Sequence, residues 1–270
     1  MDLTDSVAIV TGASRGVGAA TAVALAAAGA RVACAARATD DAPLRLPGTI
    51  DATVRRIVDG GGDAIPVPTN LARDEDVEAM VQATVDAYGA VDLLVNNAAI
   101  TFPGDLDIDL KRYDLVMSVD LRAQLLAIRA VVPHMQARGE GHIVNVSSAA
   151  ALNYFPGLMV YGMAKVALEH LTVSAAAQLR DSRIAVNTFR IDVPVASEGF
   201  IANSPGVDHS SWEPTEVAAE GIVWMCAQPP SYTGHNVGMA RLREEEGIMG
   251  GGRRPSTVAG YVTDNPMQLS

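Results

Sequence analysis

A glycine-rich turn, Thr11-Gly12-Ala13-Ser14-Arg15-Gly16-Val17-Gly18, separates the apolar run Val7–Thr11 from a helical stretch over 15–28. A short, continuous run of β-branched and small apolar residues reads as a strand buried on both faces. Glycines in the connection let the chain reverse tightly and let another backbone approach closely. Gly29 stands where a helix ends in a left-handed residue, and Arg31–Ala36 reads as the next buried strand. Two parallel strands need a crossover of helical length, so strand, turn, helix and strand in this order open a parallel sheet. The alternation continues with helix 49–60, strand 64–68, helix 73–88 and strand 91–96. It goes on through 110–138 (mostly helix), strand 142–147, helix 161–179, strand 184–190, helix 215–228 and a short strand over 235–238. The acids Asp74, Glu75 and Asp76 fall in the first turn of helix 73–88, where the helix dipole favours them. The pattern predicts a single α/β domain, a doubly wound parallel sheet covered on both faces.

Composition narrows the functional classes. The chain has 270 residues, is 49% hydrophobic and carries a net charge of −11, so a buried core is affordable and disorder is excluded as its overall state. No basic surplus exists to neutralise phosphates, which argues against nucleic acid as the partner. Cys34 and Cys226 share no motif, and the five histidines lack metal-ligand spacing, so no metal site is expected. No apolar run reaches membrane-spanning length, and the first residues lack the basic stretch of a secretion signal. These features lead to the expectation of a cytoplasmic, soluble protein. A Gly-x-Ser-x-Gly hydrolase elbow is absent. Residues 1–240 form the expected domain, with a long connection over 191–214 placed where such sheets bind ligands. A second long connection covers 37–48. The tail over 241–270, with its glycine run and Arg253-Arg254-Pro255, has no assigned role. Of 20 basic residues, only Lys111 and Lys165 are lysines.

The glycine turn lies between a first strand and a first helix, the setting in which backbone N–H groups and a helix N-terminus cradle a dinucleotide pyrophosphate. Gly12, Ser14, Arg15, Gly16, Val17 and Gly18 are its candidate contacts. A P-loop is excluded because no Gly-Lys-Ser/Thr follows. The second strand ends in Ala36-Arg37 rather than in a carboxylate. Arg15 and Arg37 together suit the 2′-phosphate of NADP(H) over NAD(H). The competing reading makes Arg37 a solvated residue that opens a loop.

Tyr161 and Lys165 stand at i and i+4, on one face of a predicted helix, and Ser148 follows the strand 142–147. A cation beside a phenol lowers its pKa, so Tyr161 is expected to exchange a proton with a substrate oxygen that Ser148 holds. With the upstream turn, this pattern resembles the short-chain dehydrogenase/reductase family, from about residue 7 to 237. The resembling segments are the Thr-Gly-x-x-x-Gly-x-Gly turn, Asn96-Asn97-Ala98-Ala99, Val144-Asn145-Val146-Ser147-Ser148 and Tyr161-x-x-x-Lys165. The resemblance implies a Rossmann fold and hydride transfer between a nicotinamide and a ketone or secondary alcohol. It makes Tyr161 the general acid/base, Lys165 the residue that tunes it and holds the nicotinamide ribose, and Ser148 the carbonyl-orienting group. It also puts Asn70 and Leu71 beside the adenine, Asn97, Ala98 and Val193 along the cofactor, and implies a homo-oligomer, a tetramer or a dimer, built through helices 110–138 and 161–179. Leu46-Pro47-Gly48-Thr49-Ile50 further resembles a hydroxysteroid-dehydrogenase-like subgroup. Leu152, Tyr154, Phe155, Val193, Val195, Phe200 and Ile201 are candidates for an apolar substrate wall, suited to a small, fairly apolar carbonyl or alcohol.

The sequence departs from that family at three places. The usual Asn of a Val-Asn-Leu step is Asp120, expected to hold the same relay water with a shifted pH optimum, or else only to brace a helix bend. The usual Pro-Gly is Ile191-Asp192, which leaves the local turn open. Ala99 replaces a glycine. Together they sustain a second reading, a dinucleotide-binding sensor or scaffold with weak or no turnover.

Overall fold

In the computed structural model, which describes residues 1–252, the first half of the chain runs β1 (Val7–Thr11), α1 (Gly16–Ala27), β2 (Arg31–Ala36), α2 (Ile50–Asp59), β3 (Asp63–Pro68), α3 (Asp74–Tyr88) and β4 (Leu93–Asn96). It continues α4 (Leu110–Met117), a π-type turn (Ser118–Arg122), α5 (Ala123–Arg138), β5 (Gly141–Ser148), a 3₁₀ turn (Ala149–Ala151) and α6 (Met159–Leu179). After a 3₁₀ turn (Arg180–Ser182) come β6 (Ile184–Ile191), α7 (Glu198–Ala202), α8 (Thr215–Cys226), β7 (Asn236–Gly238) and α9 (Met239–Glu246). All seven strands are parallel, in the order β3-β2-β1-β4-β5-β6-β7. The order reverses between β1 and β4, so their carboxyl ends open the crevice where such sheets bind ligands.

Strands that read as continuous apolar runs are buried on both sides: every residue of β1 and β4 is inaccessible. One core joins Leu25 of α1, Ile50 and Ile57 of α2 and Ile222 of α8 to one face of the sheet. The other joins Val77 and Met80 of α3, Val131 and Met135 of α5 and Leu179 of α6 to the opposite face. Both cysteines are buried and unpaired.

Two elements fall outside the expected pattern. The connection over 191–214 contains α7, five residues long, which Ser197 caps by accepting the Phe200 N–H. Phe200 stacks on Trp212 with 4.4 Å between ring centroids, so the loop has a small aromatic core of its own. The stretch past 240 also joins the domain: Leu242 and Met249 are buried in the first core, and Arg243 reaches the fully buried Glu213 at 2.8 Å. Eight residues are too few for periodicity to reveal α9. Arg253-Arg254-Pro255 and the rest of 253–270 lie outside the described residues.

His142, at the start of β5, is 1% exposed, and neither ring nitrogen meets a partner among the described residues. Burial pushes its pKa down to about 4. Below about pH 6.5 the unfolded chain takes up a proton that the folded protein does not, so this group removes stability as pH falls from 6.5 towards 4. We expect a loss of about 3 kcal/mol over that range from this residue. Urea denaturation at neutral and acid pH checks it, with His142→Leu expected to flatten the acid loss.

Candidate active site

The glycine turn is shaped by what has no side chain. Gly12 and Gly16 adopt φ of +70° and +57°, conformations that L side chains rarely take. A Cβ on Gly18 would lie 2.4 Å from both the Gly12 carbonyl oxygen and Asn97 Nδ2, so α1 presses directly on the end of β4. Thr11 joins the two strand ends: its hydroxyl donates to the Val95 carbonyl and accepts the N–H groups of Asn97 and Ala98 at 3.0 and 3.1 Å. The Asn97 side chain donates to the Thr11 carbonyl at 2.9 Å. Thus Asn97 and Ala98 brace the turn itself. Ser14 is buried, and Val17 packs into the core. The first turn of α1 holds no acid and receives no side-chain cap. Its N–H groups and the Cβ-free cradle fit a pyrophosphate, with Gly12, Ser14, Gly16, Val17 and Gly18 around it.

The two arginines differ. Arg15 spends its guanidinium on the chain: Nε donates to the Pro47 carbonyl at 2.7 Å, and one terminal nitrogen donates to Leu46 and Gly48 at 2.9 and 3.1 Å. It therefore clamps the connection over 37–48 onto the turn, a role the sequence did not reveal. Arg37 is exposed and has no partner among the described residues. Its charge and burial both depress the Arg15 pKa, burial most, while Glu198 of α7 raises it. Asn70 caps its own turn by accepting the Ala72 N–H at 3.2 Å, and Leu71 leans on the second core.

Ser148, Tyr161, Lys165 and Asp120 do converge, at the carboxyl end of β5. The Ser148 hydroxyl accepts the Ala150 N–H at 3.2 Å and lies near enough to Tyr161 to pull its phenol pKa down. The Lys165 ammonium lies 5.5 Å from the Tyr161 ring centroid and donates to the Val146 carbonyl at 3.0 Å. Asp120 sits in the π-type turn, a helix irregularity that is common at functional sites, and is fully buried. One of its oxygens accepts the Ile100 N–H at 2.8 Å, and the other meets no partner among the described residues. It thus braces the chain leaving β4 and also faces the site with a free carboxylate oxygen.

The electrostatics correct one expectation. Lys165 does not depress the Tyr161 phenol in this state: burial, then the Asp120 charge, push its pKa up, and only the Ser148 hydroxyl pulls it down. Burial raises Asp120 to about 7 despite the pull of Lys165 and of the Ile100 N–H. Lys165 is lowered by burial, with Asp120 and Glu169 opposing that.

Sequence reasoning missed the polar row beneath this group. Glu169, two turns beyond Tyr161, accepts the Ser147 hydroxyl at 2.7 Å and a forked pair of bonds from Arg190 at 2.8 and 2.6 Å. Further along, Asn96 donates to Asn145, and Asn145 donates to Thr172. The signal was present: Tyr161, Lys165, Glu169 and Thr172 repeat at helical spacing on the face that α6 turns to the sheet.

The family model described as short chain dehydrogenase matches residues 6–193. The chain belongs to the short chain dehydrogenase family. It is 32% identical over 244 residues to mouse hydroxysteroid dehydrogenase-like protein 2, covering 88% of this chain and 49% of that one. The human protein of the same name is 31% identical over 243 residues, covering 88% and 57%. The chain therefore spans about half the length of these curated relatives. Among solved structures, a metagenomic short-chain oxidoreductase in complex with NADP matches at TM-score 0.73 and 30% identity, covering 88% of this chain and 99% of that one. A short chain dehydrogenase from Mycobacterium thermoresistibile matches at TM-score 0.81 and 30% identity, covering 91% and 89%.

Within this dehydrogenase fold the turn left open at Ile191-Asp192 has a definite structure. The Asp192 side chain is buried and accepts the Ala240 N–H at 3.1 Å, at the start of α9. A Cβ on Gly238 would collide with that carboxylate. Asp192 therefore works as a helix cap that ties the end of β6 to the C-terminal helix. Val193 beside it is half-buried against the first core.

Proposed function

We propose that this chain transfers a hydride between NADP(H) and the ketone or secondary-alcohol carbon of a small, fairly apolar substrate, with Tyr161 as general acid/base. The observation that carries the reading is the Lys165 ammonium 5.5 Å from the Tyr161 ring, with Ser148 acting on the same phenol, at the carboxyl edge that also holds the glycine turn. The nicotinamide, when bound, supplies or accepts the hydride. Ser148 orients the substrate oxygen; the Tyr161 phenol gives that oxygen a proton in reduction, and the Tyr161 phenolate takes one from it in oxidation. Lys165 holds a positive charge at the phenolate that reduction creates and oxidation consumes. Asp120 holds the proton path to Lys165 through its free oxygen, and its negative charge makes the phenol harder to ionise.

The guanidinium of Arg37, without a partner among the described residues and near Arg15, supports NADP(H), and the NADP complex of the metagenomic relative supports the same choice. Half-buried Leu152 and Phe155 and exposed Phe200 and Ile201 support an apolar substrate wall. Val195 leaves that set, because it is 3% exposed and lies in the core. The names of the hydroxysteroid dehydrogenase-like relatives support an alcohol on an apolar skeleton. Exposed Leu125 on α5 and Val173 on α6 support a homo-oligomer, a tetramer or dimer, built on those helices. No helix among the described residues is long and apolar enough to cross a membrane, and two buried, unpaired cysteines support a cytoplasmic setting.

Tyr161→Phe is expected to lower turnover at least about a hundredfold while NADPH still binds in a fluorescence titration. Retained turnover defeats the enzyme reading, and a wild-type protein that binds NADPH without turnover favours the sensor. The same titration is expected to favour NADPH over NADH, and Arg37→Ala to weaken NADPH about tenfold with NADH unchanged. Asp120→Asn is expected to move the rise of alcohol oxidation to lower pH and to remove an inflection near pH 7, because it deletes a charge that opposes Tyr161 ionisation. An unchanged pH–rate profile would take Asp120 out of the proton path.

A further inference from the structure

The connection over 191–214 has a fixed base and a loosely held top. At the base Val195 is buried and bridges to Glu213: the Ala196 N–H donates to the Glu213 carbonyl and the Glu213 N–H to the Pro194 carbonyl, each at 2.8 Å. The Glu213 carboxylate is held in turn by Arg243 of α9. Beyond Ala196 the hold weakens. None of the five residues of α7 is buried, and the helix is tied down by its Ser197 cap and by the stack of Phe200 on Trp212. A segment with so little buried surface opens at low cost while the base stays in place.

This top lies on the glycine turn. A Cβ on Gly16 would come 3.1 Å from Ser197 Cβ and 3.5 Å from Glu198 Oε2. Gly16 opens α1, so the Glu198 carboxylate stands beside the helix N-terminus whose N–H groups fit a pyrophosphate. The carboxylate makes no ion pair or hydrogen bond among the described residues. Burial lowers the Arg15 pKa and the Glu198 charge opposes that, so the two lie within electrostatic reach. The Arg15 guanidinium, however, is spent on Leu46, Pro47 and Gly48. An acid with no close partner therefore faces the place where a doubly negative group is to bind.

We propose that Glu198 is an electrostatic gate on the cofactor site: it opposes the dinucleotide pyrophosphate at Gly16, so that NADP(H) binds by driving α7 off the turn and drawing Phe200 away from Trp212. The inference rests on the reading of the glycine turn as a dinucleotide site. Attraction to Arg15 favours the position of Glu198 on the turn, and repulsion from the pyrophosphate reverses that balance. Phe200 and Ile201 of α7 belong to the proposed substrate wall, so the same movement resets the wall when the cofactor arrives. Cofactor and substrate then communicate through one short helix.

The probe is 2′-phospho-ADP-ribose, which carries the pyrophosphate and the 2′-phosphate but no nicotinamide to quench tryptophan. Glu198→Gln keeps the shape of an exposed side chain and removes its charge. In calorimetry at low salt the substitution is expected to tighten the probe about fivefold or more, and by less at about 0.5 M salt. Adenosine 2′-monophosphate, which lacks the pyrophosphate, is expected to bind both proteins alike. The movement of α7 is read from Trp212, which is buried; Trp224→Phe leaves it as the single tryptophan and keeps a ring against Tyr232. Saturating probe is expected to shift its emission to the red, and to shift it less once Glu198→Gln is added. Tighter binding together with the red shift supports the gate. Unchanged or weaker binding in Glu198→Gln overturns it, and so does Trp212 emission that stays in place at saturation. Equal tightening of adenosine 2′-monophosphate also overturns it, by reducing Glu198 to a distant charge. An unaltered protein that binds neither NADPH nor NADH overturns the reading of the turn and the gate with it, whereas the other failures leave that reading standing.

Discussion

An ammonium taken out of water costs several kcal/mol unless charge and hydrogen bonds replace the solvent, and Lys165 is 1% exposed. Much of the site is arranged to meet that demand. The end of β5 supplies a carbonyl, the π-type turn supplies Asp120, and the next turn of α6 supplies Glu169. Each of these has to be held in turn. Ile100 binds one oxygen of Asp120, and Arg190 with Ser147 binds Glu169. Ser148 and Tyr161 come together because the same strand end and helix face are already locked around the lysine.

The nucleotide half of the crevice depends on close approach rather than on charge. Gly18 admits Asn97 and the Gly12 carbonyl into space that any side chain would fill. Thr11 then joins the ends of β1 and β4 with one hydroxyl. The connection over 37–48 completes this half. Arg15 draws three of its carbonyls onto the turn, and Gly48, at φ +102°, has its Cα facing the Ser14 carbonyl where a Cβ would come within 2.4 Å. Residues that read as phosphate ligands thus divide the work, with Arg15 mainly shaping the loop and Arg37 left without a partner among the described residues.

The strands and long helices were legible because buried parallel strands and their crossover helices carry strong local signals. Predicted edges for β1 and β2 coincide with those observed, and most others differ by one or two residues. Short elements were not legible: α7 rests on a Ser197 cap and a Phe200–Trp212 stack that closes across the loop, and α9 rests on Asp192 from a distant strand. Among candidate site residues, Ser148, Tyr161 and Lys165 were named from their spacing and Asp120 from the resemblance to the family, and the fold brings the four to one strand end. Glu169 and Arg190 were passed over because each alone looks like a surface charge, and only pairing across α6 and β6 reveals their burial.

What the sequence determined by itself is the order of elements, the place of the glycine turn and the i, i+4 pairing of Tyr161 with Lys165, all consequences of local geometry with fixed periods. The tertiary structure alone decided the electrostatics. Whether the Tyr161 phenol is pushed up or down depends on its burial and on Asp120, 41 positions earlier in the chain, and not on its neighbour one turn away. The same holds for Asp192, whose role as a helix cap follows from β6 and α9 meeting at the sheet edge. Desolvation and long-range contacts set those energies, and neither is written in any short stretch of sequence.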